Sequence, residues 1–119
     1  ILFSFPQISV AKRISPKAVE PVSFQGVVYM TVPWATDNGT KQNGGYIRAL
    51  DESKNVTLWG MQVYKTNYED LKEKDIQDVF ISKIKIDKKG KSLIIENELG
   101  EIFIISLKTK EVVKVKHIK

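Results

Sequence analysis

The chain has 119 residues, of which 42% are apolar and 28% are charged, and it contains no cysteine. This length and composition predict one globular domain with its own core and exclude a disordered chain. The lack of cysteine excludes disulfides, thiolate metal sites and cysteine nucleophiles.

The formal net charge of +5 is compatible with binding to nucleic acid or to an anionic membrane surface. Many lysines, however, alternate with apolar residues, as Lys83 and Lys85 do on either side of Ile84. This alternation is typical of the solvated face of a half-buried strand. We therefore expect no nucleic-acid partner. No apolar run reaches the ~20 residues that a membrane span needs, so we also expect no membrane span.

Residues 1–20 begin with the apolar run Ile1–Phe5 and contain Pro6 and Pro16. We interpret them as an N-terminal arm. The run is either the mature start of an exported protein or a core strand at which the given chain begins. The first alternative is slightly favoured and gives a periplasmic or secreted location as the expectation.

From Val22 onward the sequence is dominated by β-branched and aromatic residues that are interrupted by turn signals every 8–12 residues or so, as in all-β sandwiches and propeller blades. Gly90 closes one such turn and suits a left-handed position. Asn67 and Asp70 resemble the start of a helix, and we expect one short helix over 68–77. Strands are predicted over residues 22–24, 27–32, 46–50, 56–64, 79–86, 93–95, 102–107 and 112–115.

Two stretches of the chain, 45–54 and 100–109, align with each other without a gap. In each, a glycine (Gly45 or Gly100) opens an apolar strand, and a polar turn leads to a returning strand. Such internal repetition is typical of stacked or radial architectures. The first copy differs because a long polar loop, Pro33–Gly45, is inserted before its glycine.

The run Gly45-Tyr46-Ile47-Arg48-Ala49-Leu50-Asp51, followed by Leu58-Trp59, resembles the blade signature of quinoprotein-type (PQQ-like) β-propellers. The second copy is more degenerate, with Ser106 in the place of Asp and Lys114 in the place of Trp. The chain also looks like small bacterial proteins of unknown function that carry this repeat. The resemblance implies a propeller-like blade, with Trp59 as a packing residue. It does not by itself imply a bound quinone.

Two blades cannot close a propeller of about four to eight blades. Either several chains complete a ring, or the two repeats pack on each other as a monomer, which we favour. The predicted fold is therefore mainly β: two antiparallel blade-like sheets of about 7–9 strands, packed as a small sandwich or a partial propeller, with one short helix. The expected organisation is a single domain over 1–119, comprising an arm (1–20), a first repeat (21–65), a helical connector (66–78) and a second repeat (79–117).

The Pro33–Gly45 loop holds most of the candidate binding residues, because loops carry function more often than scaffold strands do. Trp34 could stack on a sugar or anchor a partner, although a Trp folded back over the core is the more common arrangement. Asp37 and Asn38 could offer oxygen ligands, but the alternation of a calcium loop is missing and turn formation is the more common role. We predict no metal site.

Two strand residues complete the candidate set, since Arg48 could meet an anionic group and Tyr64 could line a junction between the repeats. Four residues are predicted to be structural: Gly45, Trp59, Gly90 and Gly100. No catalytic group set and no cofactor are predicted.

The leading hypothesis is thus a non-enzymatic interaction or scaffold domain that binds an unknown protein partner. The alternative is a small-molecule binding module for a carbohydrate or a quinone-type ligand. A degenerate fragment of a quinoprotein dehydrogenase is the third and weakest hypothesis.

Overall fold

The computed structural model describes residues 16–69, 77–89 and 91–115. These residues form two antiparallel four-stranded sheets, which we call sheet A (β1–β4) and sheet B (β5–β8). The strands are β1 Val22–Phe24, β2 Val27–Thr31, β3 Tyr46–Asp51, β4 Thr57–Gln62, β5 Ile81–Asp87, β6 Ser92–Asn97, β7 Ile102–Ser106 and β8 Val112–Val115.

The prediction of a mainly β fold with two blade-like sheets is confirmed, and each predicted strand has its counterpart. Most of the helix predicted over 68–77 lies outside the described residues, as do Gly90 and the greater part of the N-terminal arm. In the described part of the chain, no helix is long and apolar enough to cross a membrane.

Each sheet is a meander in which every strand pairs with the strands next to it in sequence. In sheet A, Ala49 lies opposite Tyr29 on one side and Trp59 on the other. In sheet B, Ile104 holds the same place between Ile94 and Val113. Because side chains alternate between the two faces of a strand, these registers decide which residues share a face.

The core lies between the two sheets. The packed face of sheet A and the packed face of sheet B meet there, and their central residues are nearly or completely inaccessible to solvent. Aromatic contacts join the layers, since the rings of Tyr64 and Phe103 stack with centroids 5.0 Å apart. The packed face of sheet A comprises Tyr29, Ile47, Ala49, Trp59 and Met61, and that of sheet B comprises Leu93, Ile95, Phe103, Ile105 and Val112.

The turns that follow β3 and β7 have the same hydrogen bonds at corresponding positions of the two repeats. The amide of Asn55 donates to the carbonyl of Asp51 at 2.8 Å, and the amide of Lys110 donates to the carbonyl of Ser106 at 2.8 Å. Asn55 and Lys110 both have positive φ. The side chain of Asp51 caps its turn by accepting from the amides of Lys54 and Ser53. These hydrogen bonds lower the pKa of the Asp51 carboxyl group.

The structure changes one pairing of the repeats. A bulge between Ala49 and Leu50 in the β3–β4 register places Trp59 opposite Ala49, whereas β7 and β8 pair without a bulge. The residue of sheet B in the position of Trp59 is therefore Val113, and the expected equivalence of Trp59 and Lys114 is wrong. A gapless sequence alignment cannot show a bulge, which adds one residue to one strand only.

Candidate functional site

The inserted loop, residues 33–45, begins where β2 ends and folds back over the end of the sandwich. Its first half is a short 3-10 helix, Ala35–Asn38, which ends at Gly39 in the left-handed conformation. The side chain of Ala35 is fully buried. Its carbonyl accepts from the amide of Thr40 at 3.3 Å, which closes this half of the loop.

The two halves of the loop are tied together. The side-chain oxygen of Asn43 accepts from the amide of Thr36 at 3.1 Å and from its hydroxyl at 2.8 Å. The amide of Gly44 donates to the carbonyl of Pro33 at 2.9 Å, so the ends of the loop also meet. These internal bonds make the loop a compact unit, although it is long and contains three glycines.

Gln42 fastens the loop to the segment that follows β4. Its side chain is buried, with 5% of its surface exposed. The amide nitrogen donates to the carbonyls of Gly44 at 3.0 Å and Tyr64 at 3.1 Å, and the amide oxygen accepts from the backbone of Thr66 at 2.6 Å. The bond to Thr66 satisfies a backbone amide that would otherwise be costly to bury. The carbonyls of Gly44 and Tyr64 also accept from the side-chain amide of Gln62, at 3.4 and 3.0 Å. Gln42 was not predicted from the sequence, since nothing distinguishes it from other polar loop residues.

Glycines 44 and 45 permit this close approach. Both have positive φ, which a residue with a Cβ adopts only at a cost. A Cβ on Gly44 would overlap the carbonyl of Val79, and one on Gly45 would lie 2.9 Å from the carbonyl oxygen of Tyr64. The structure thus gives a steric reason for the glycine predicted to be structural at 45. Gly100, the other such glycine, also has positive φ in the turn before β7.

Trp34 lies at the base of the loop with 41% of its surface exposed. One side of its ring contacts the buried Phe80 in an edge-to-face arrangement, with the centroids 5.3 Å apart and the planes at 73°. Beside the ring is a hollow of about 180 Å³, which is also lined by Pro16, Val19 and Tyr46. Trp34 is therefore anchored on the core and presents its remaining surface to solvent.

A larger cleft of about 630 Å³ lies between the second half of the loop and the segment after β4. Its lining is rich in hydroxyl and amide groups and includes two lysines. Tyr68 closes one wall, and its hydroxyl donates to Asp78 at 2.5 Å. Burial, together with the hydrogen bond and the charge of Asp78, raises the pKa of Tyr68. The lining residues are Gly39, Thr40, Lys41, Gln42, Gln62, Lys65, Thr66, Asn67 and Tyr68.

The predicted binding residues are not gathered in one place. Asp37 and Asn38 lie in the 3-10 helix of the loop. Arg48 lies in β3, opposite Met30 and Gly60, on the face of sheet A that points away from the core. Tyr64 is committed to the interior, because its ring stacks on Phe103 and its hydroxyl donates to the carbonyl of Val79 at 2.5 Å. Burial raises the pKa of Tyr64.

Trp59, predicted as a packing residue, lies against the core and 6.0 Å from Tyr29 between ring centroids. The ammonium group of Lys110 sits over its ring at 4.9 Å. This cation–π contact joins the turn after β7 to sheet A, so it crosses between the repeats.

Among the described residues, no group of three or more His, Cys, Asp or Glu side chains is placed to hold a metal ion. Comparison with models of known protein families, with curated proteins and with solved structures found no match. The resemblance to quinoprotein-type blades therefore stays a prediction.

Proposed function

We propose that the chain is a non-enzymatic interaction domain in which a two-sheet scaffold presents the loop 33–45 to a protein partner. The observation that carries this proposal is the contrast between the tight internal bonding of the loop and its exposed outer surface. A loop held in one shape loses little conformational entropy on binding, which favours affinity.

Trp34 and Lys41 are the residues of this loop that we assign to partner contact. An aromatic ring that is fixed on one side and exposed on the other is a common anchor at interfaces, where Trp is enriched. Lys41 is exposed and stands directly before the buried Gln42, so its charge is presented from an anchored backbone. A partner with an apolar recess next to acidic groups would match this pair.

Site-specific photocrosslinking tests the proposal. A benzophenone-bearing residue replaces Lys41 in one variant and Lys88, an exposed residue of the turn between β5 and β6, in the matched control. In extracts of the organism that encodes the chain, we expect a discrete adduct from position 41 and none from position 88.

A second variant, Trp34→Ala in the position-41 background, should reduce that adduct strongly while the far-ultraviolet circular dichroism stays unchanged. Adducts of equal intensity from positions 41 and 88, or an adduct that is insensitive to Trp34, would contradict the assignment of the loop.

The second candidate function is binding of a small polar ligand of carbohydrate type in the cleft beside Tyr68. The specific observation in its favour is a cleft of about 630 Å³ lined by hydroxyl and amide groups, which are the groups that hydrogen-bond sugar hydroxyls. Titration with mono- and disaccharides, followed by amide chemical shifts in NMR, should move the signals of Thr66 and Gln42. Shifts confined to the β5–β6 turn, or no shifts across the panel, would dismiss this candidate.

A further inference from the structure

The two repeats pack on each other through opposite faces. In the gapless alignment of the repeats, Ile47 and Ala49 correspond to Ile102 and Ile104. Ile47 and Ala49 are completely buried on the packed face of sheet A. Ile102 and Ile104 instead lie on the face of sheet B that points away from the core, since they alternate with the buried Phe103 along β7.

The outer face of sheet B therefore occupies the positions of the face that sheet A buries, and its two central strands and β8 keep much of the apolar character of that face. The edge strand β5 instead adds Lys83 and Lys85 to it, beside Glu96 of β6. The registers place five β-branched aliphatic side chains on it, of which Val113 has 61% of its surface exposed and the other four are half-buried. None of them belongs to the core cluster of the described residues. Their counterparts in sheet A are Tyr29, Ile47, Ala49, Trp59 and Met61. The five residues are Ile94, Ile102, Ile104, Val113 and Val115.

The converse holds for sheet A. Its outer face carries Val28, Met30 and Leu50, together with Arg48 and Thr57. By register, these residues correspond to the packed face of sheet B, because Met30 and Arg48 pair as Ile95 and Phe103 do. The outer face of sheet A is thus a partly polar copy of a face that is buried elsewhere in the same chain.

The strand sequences agree with this correspondence. A strand with one solvated face alternates between apolar and polar residues, whereas a strand buried on both faces is apolar throughout. The run Ile102–Ile105 in β7 and the run Leu93–Ile95 in β6 contain no polar residue. The run Val27–Met30 in β2 has the same character. These runs have the composition of strands covered on both sides, although β6 also contains Glu96 and the other central strand, β3, contains Arg48.

We propose that the outer face of sheet B packs on the outer face of sheet A of a second copy of this chain. The interface would repeat the contact that already joins the two sheets within one chain. Such a contact is heterologous, since it uses two different patches, and it produces a ring if the rotation closes. A ring of about four to eight blades would contain two to four chains. The proposal is independent of the loop function above, because the loop 33–45 is part of neither outer face.

Sedimentation equilibrium from micromolar to millimolar concentration tests the proposal. The monomer mass is 13.5 kDa, and we expect a defined multiple of it at the upper end of the range. The variant Ile104→Lys places a charge on the outer face of sheet B, and Met30→Lys places one on the outer face of sheet A. Each variant alone should be folded by circular dichroism and monomeric by sedimentation equilibrium.

The decisive sample is an equimolar mixture of these two variants. Each retains one intact face, so a heterologous contact predicts a 1:1 heterodimer that grows no further. The matched control is Leu99→Lys, which charges an exposed aliphatic residue (66% exposed) in the turn before β7, outside both faces, and should associate as the unaltered chain does.

A monomer at all concentrations would overturn the proposal. Normal association of the Met30→Lys variant would also overturn it, because sheet B would then pack on sheet B. A mixture of the two variants that stays monomeric would overturn it as well. Loss of association in Leu99→Lys would also overturn it, because the contact would then lie at the turn.

Discussion

The two repeats differ most in the connection between their second and third strands. In the first repeat it is the long connection, residues 33–45, and in the second it is the short connection, residues 98–100. Both are closed by the same backbone bond, since the amide of Val32 donates to the carbonyl of Tyr46 at 3.0 Å and the amide of Asn97 donates to the carbonyl of Glu101 at 3.0 Å. Each connection also ends in a glycine with positive φ, Gly45 or Gly100.

Each connection is also held by one buried amide side chain. The oxygen of Asn97 accepts from the amides of Leu99 and Glu101 at 3.0 Å. Gln42 has the corresponding role in the long connection, but it reaches out of its own hairpin to Tyr64 and Thr66. The features that the two connections share are therefore the closing bond, the glycine and a buried side-chain amide. The additional residues of the long connection form a separately stabilised structure, which is where a function can reside.

The largest expected effect is that of Gly44→Ala. The new Cβ would overlap the carbonyl of Val79 and force a left-handed conformation on alanine, so the free energy of unfolding should fall by about 3–4 kcal/mol. Gly39→Ala is the matched control, because Gly39 also has positive φ but has open space around it. It should cost about 1–2 kcal/mol. Urea denaturation measures both; equal losses would show that the approach to Val79 is unimportant.

Substitution of each buried side-chain amide shows how the roles of the two connections differ. Asn97→Ala leaves two turn amides without their acceptor and should destabilise the chain by about 2–3 kcal/mol. Gln42→Ala should cost about 1–2 kcal/mol, since water can reach the opened cleft and replace part of the lost bonding. Hydrogen exchange should show faster exchange at Thr66 in Gln42→Ala only. Faster exchange throughout sheet A in that variant would mean that the loop supports the scaffold.

The stability of the chain at alkaline pH tests the burial of Tyr64, whose carbonyl accepts from Gln42 of the long connection. Because burial raises its pKa in the folded chain above the ordinary 10.0, its contribution is complete below pH 10. That contribution is lost as the pH rises further, when the unfolded state ionises first. Tyr64→Phe should cost about 1 kcal/mol at neutral pH through the lost bond to Val79 and should make stability less sensitive to pH above 10. Urea denaturation on both sides of pH 10 measures this. If the free energy of unfolding falls as steeply above pH 10 in Tyr64→Phe as in the unaltered chain, a group other than Tyr64 causes the alkaline loss of stability.

The smallest expected effect concerns the contact between the repeats at Lys110. Lys110→Met keeps most of the apolar stem but removes the charge over Trp59 and the ammonium group's hydrogen bond to the carbonyl of Leu107, so the free energy of unfolding should fall by about 0.5–1 kcal/mol. The same turn in the first repeat supplies the control, Lys54→Met, which alters an exposed lysine and should leave the melting temperature unchanged. A larger loss of stability in Lys54→Met than in Lys110→Met would contradict a stabilising contact between Lys110 and Trp59.

Much of the scaffold could be predicted from the sequence, because strands and turns are encoded locally. The run Val27–Met30 and the turn at Gln25-Gly26 mark a hairpin without any knowledge of the rest of the chain. The internal repeat was visible for the same reason, since the turns at Asp51 and Ser106 use neighbouring side chains.

The long connection could be predicted only as a loop. Its shape depends on contacts between distant residues, such as that of Gln42 with Thr66, and no local pattern marks which glutamine is buried. The bulge that displaces Trp59 relative to Val113 was hidden for a similar reason, because register is a property of two paired strands. Tyr64 was predicted as a binding residue from its type, whereas its partners Phe103 and Val79 lie on the other sheet and on the chain that enters it.

The most direct test of this account is to replace the long connection by the short one. Residues 32–45 are exchanged for residues 97–100, Asn-Glu-Leu-Gly, so that the closing bond, the glycine and a turn-capping amide are all retained. We predict cooperative urea unfolding and a loss of about 3–4 kcal/mol, since the bonds of Gln42, the contact of Trp34 and the buried side chains of Val32 and Ala35 are all removed. A chain that no longer unfolds cooperatively would contradict the account, because the loop would then be part of the scaffold.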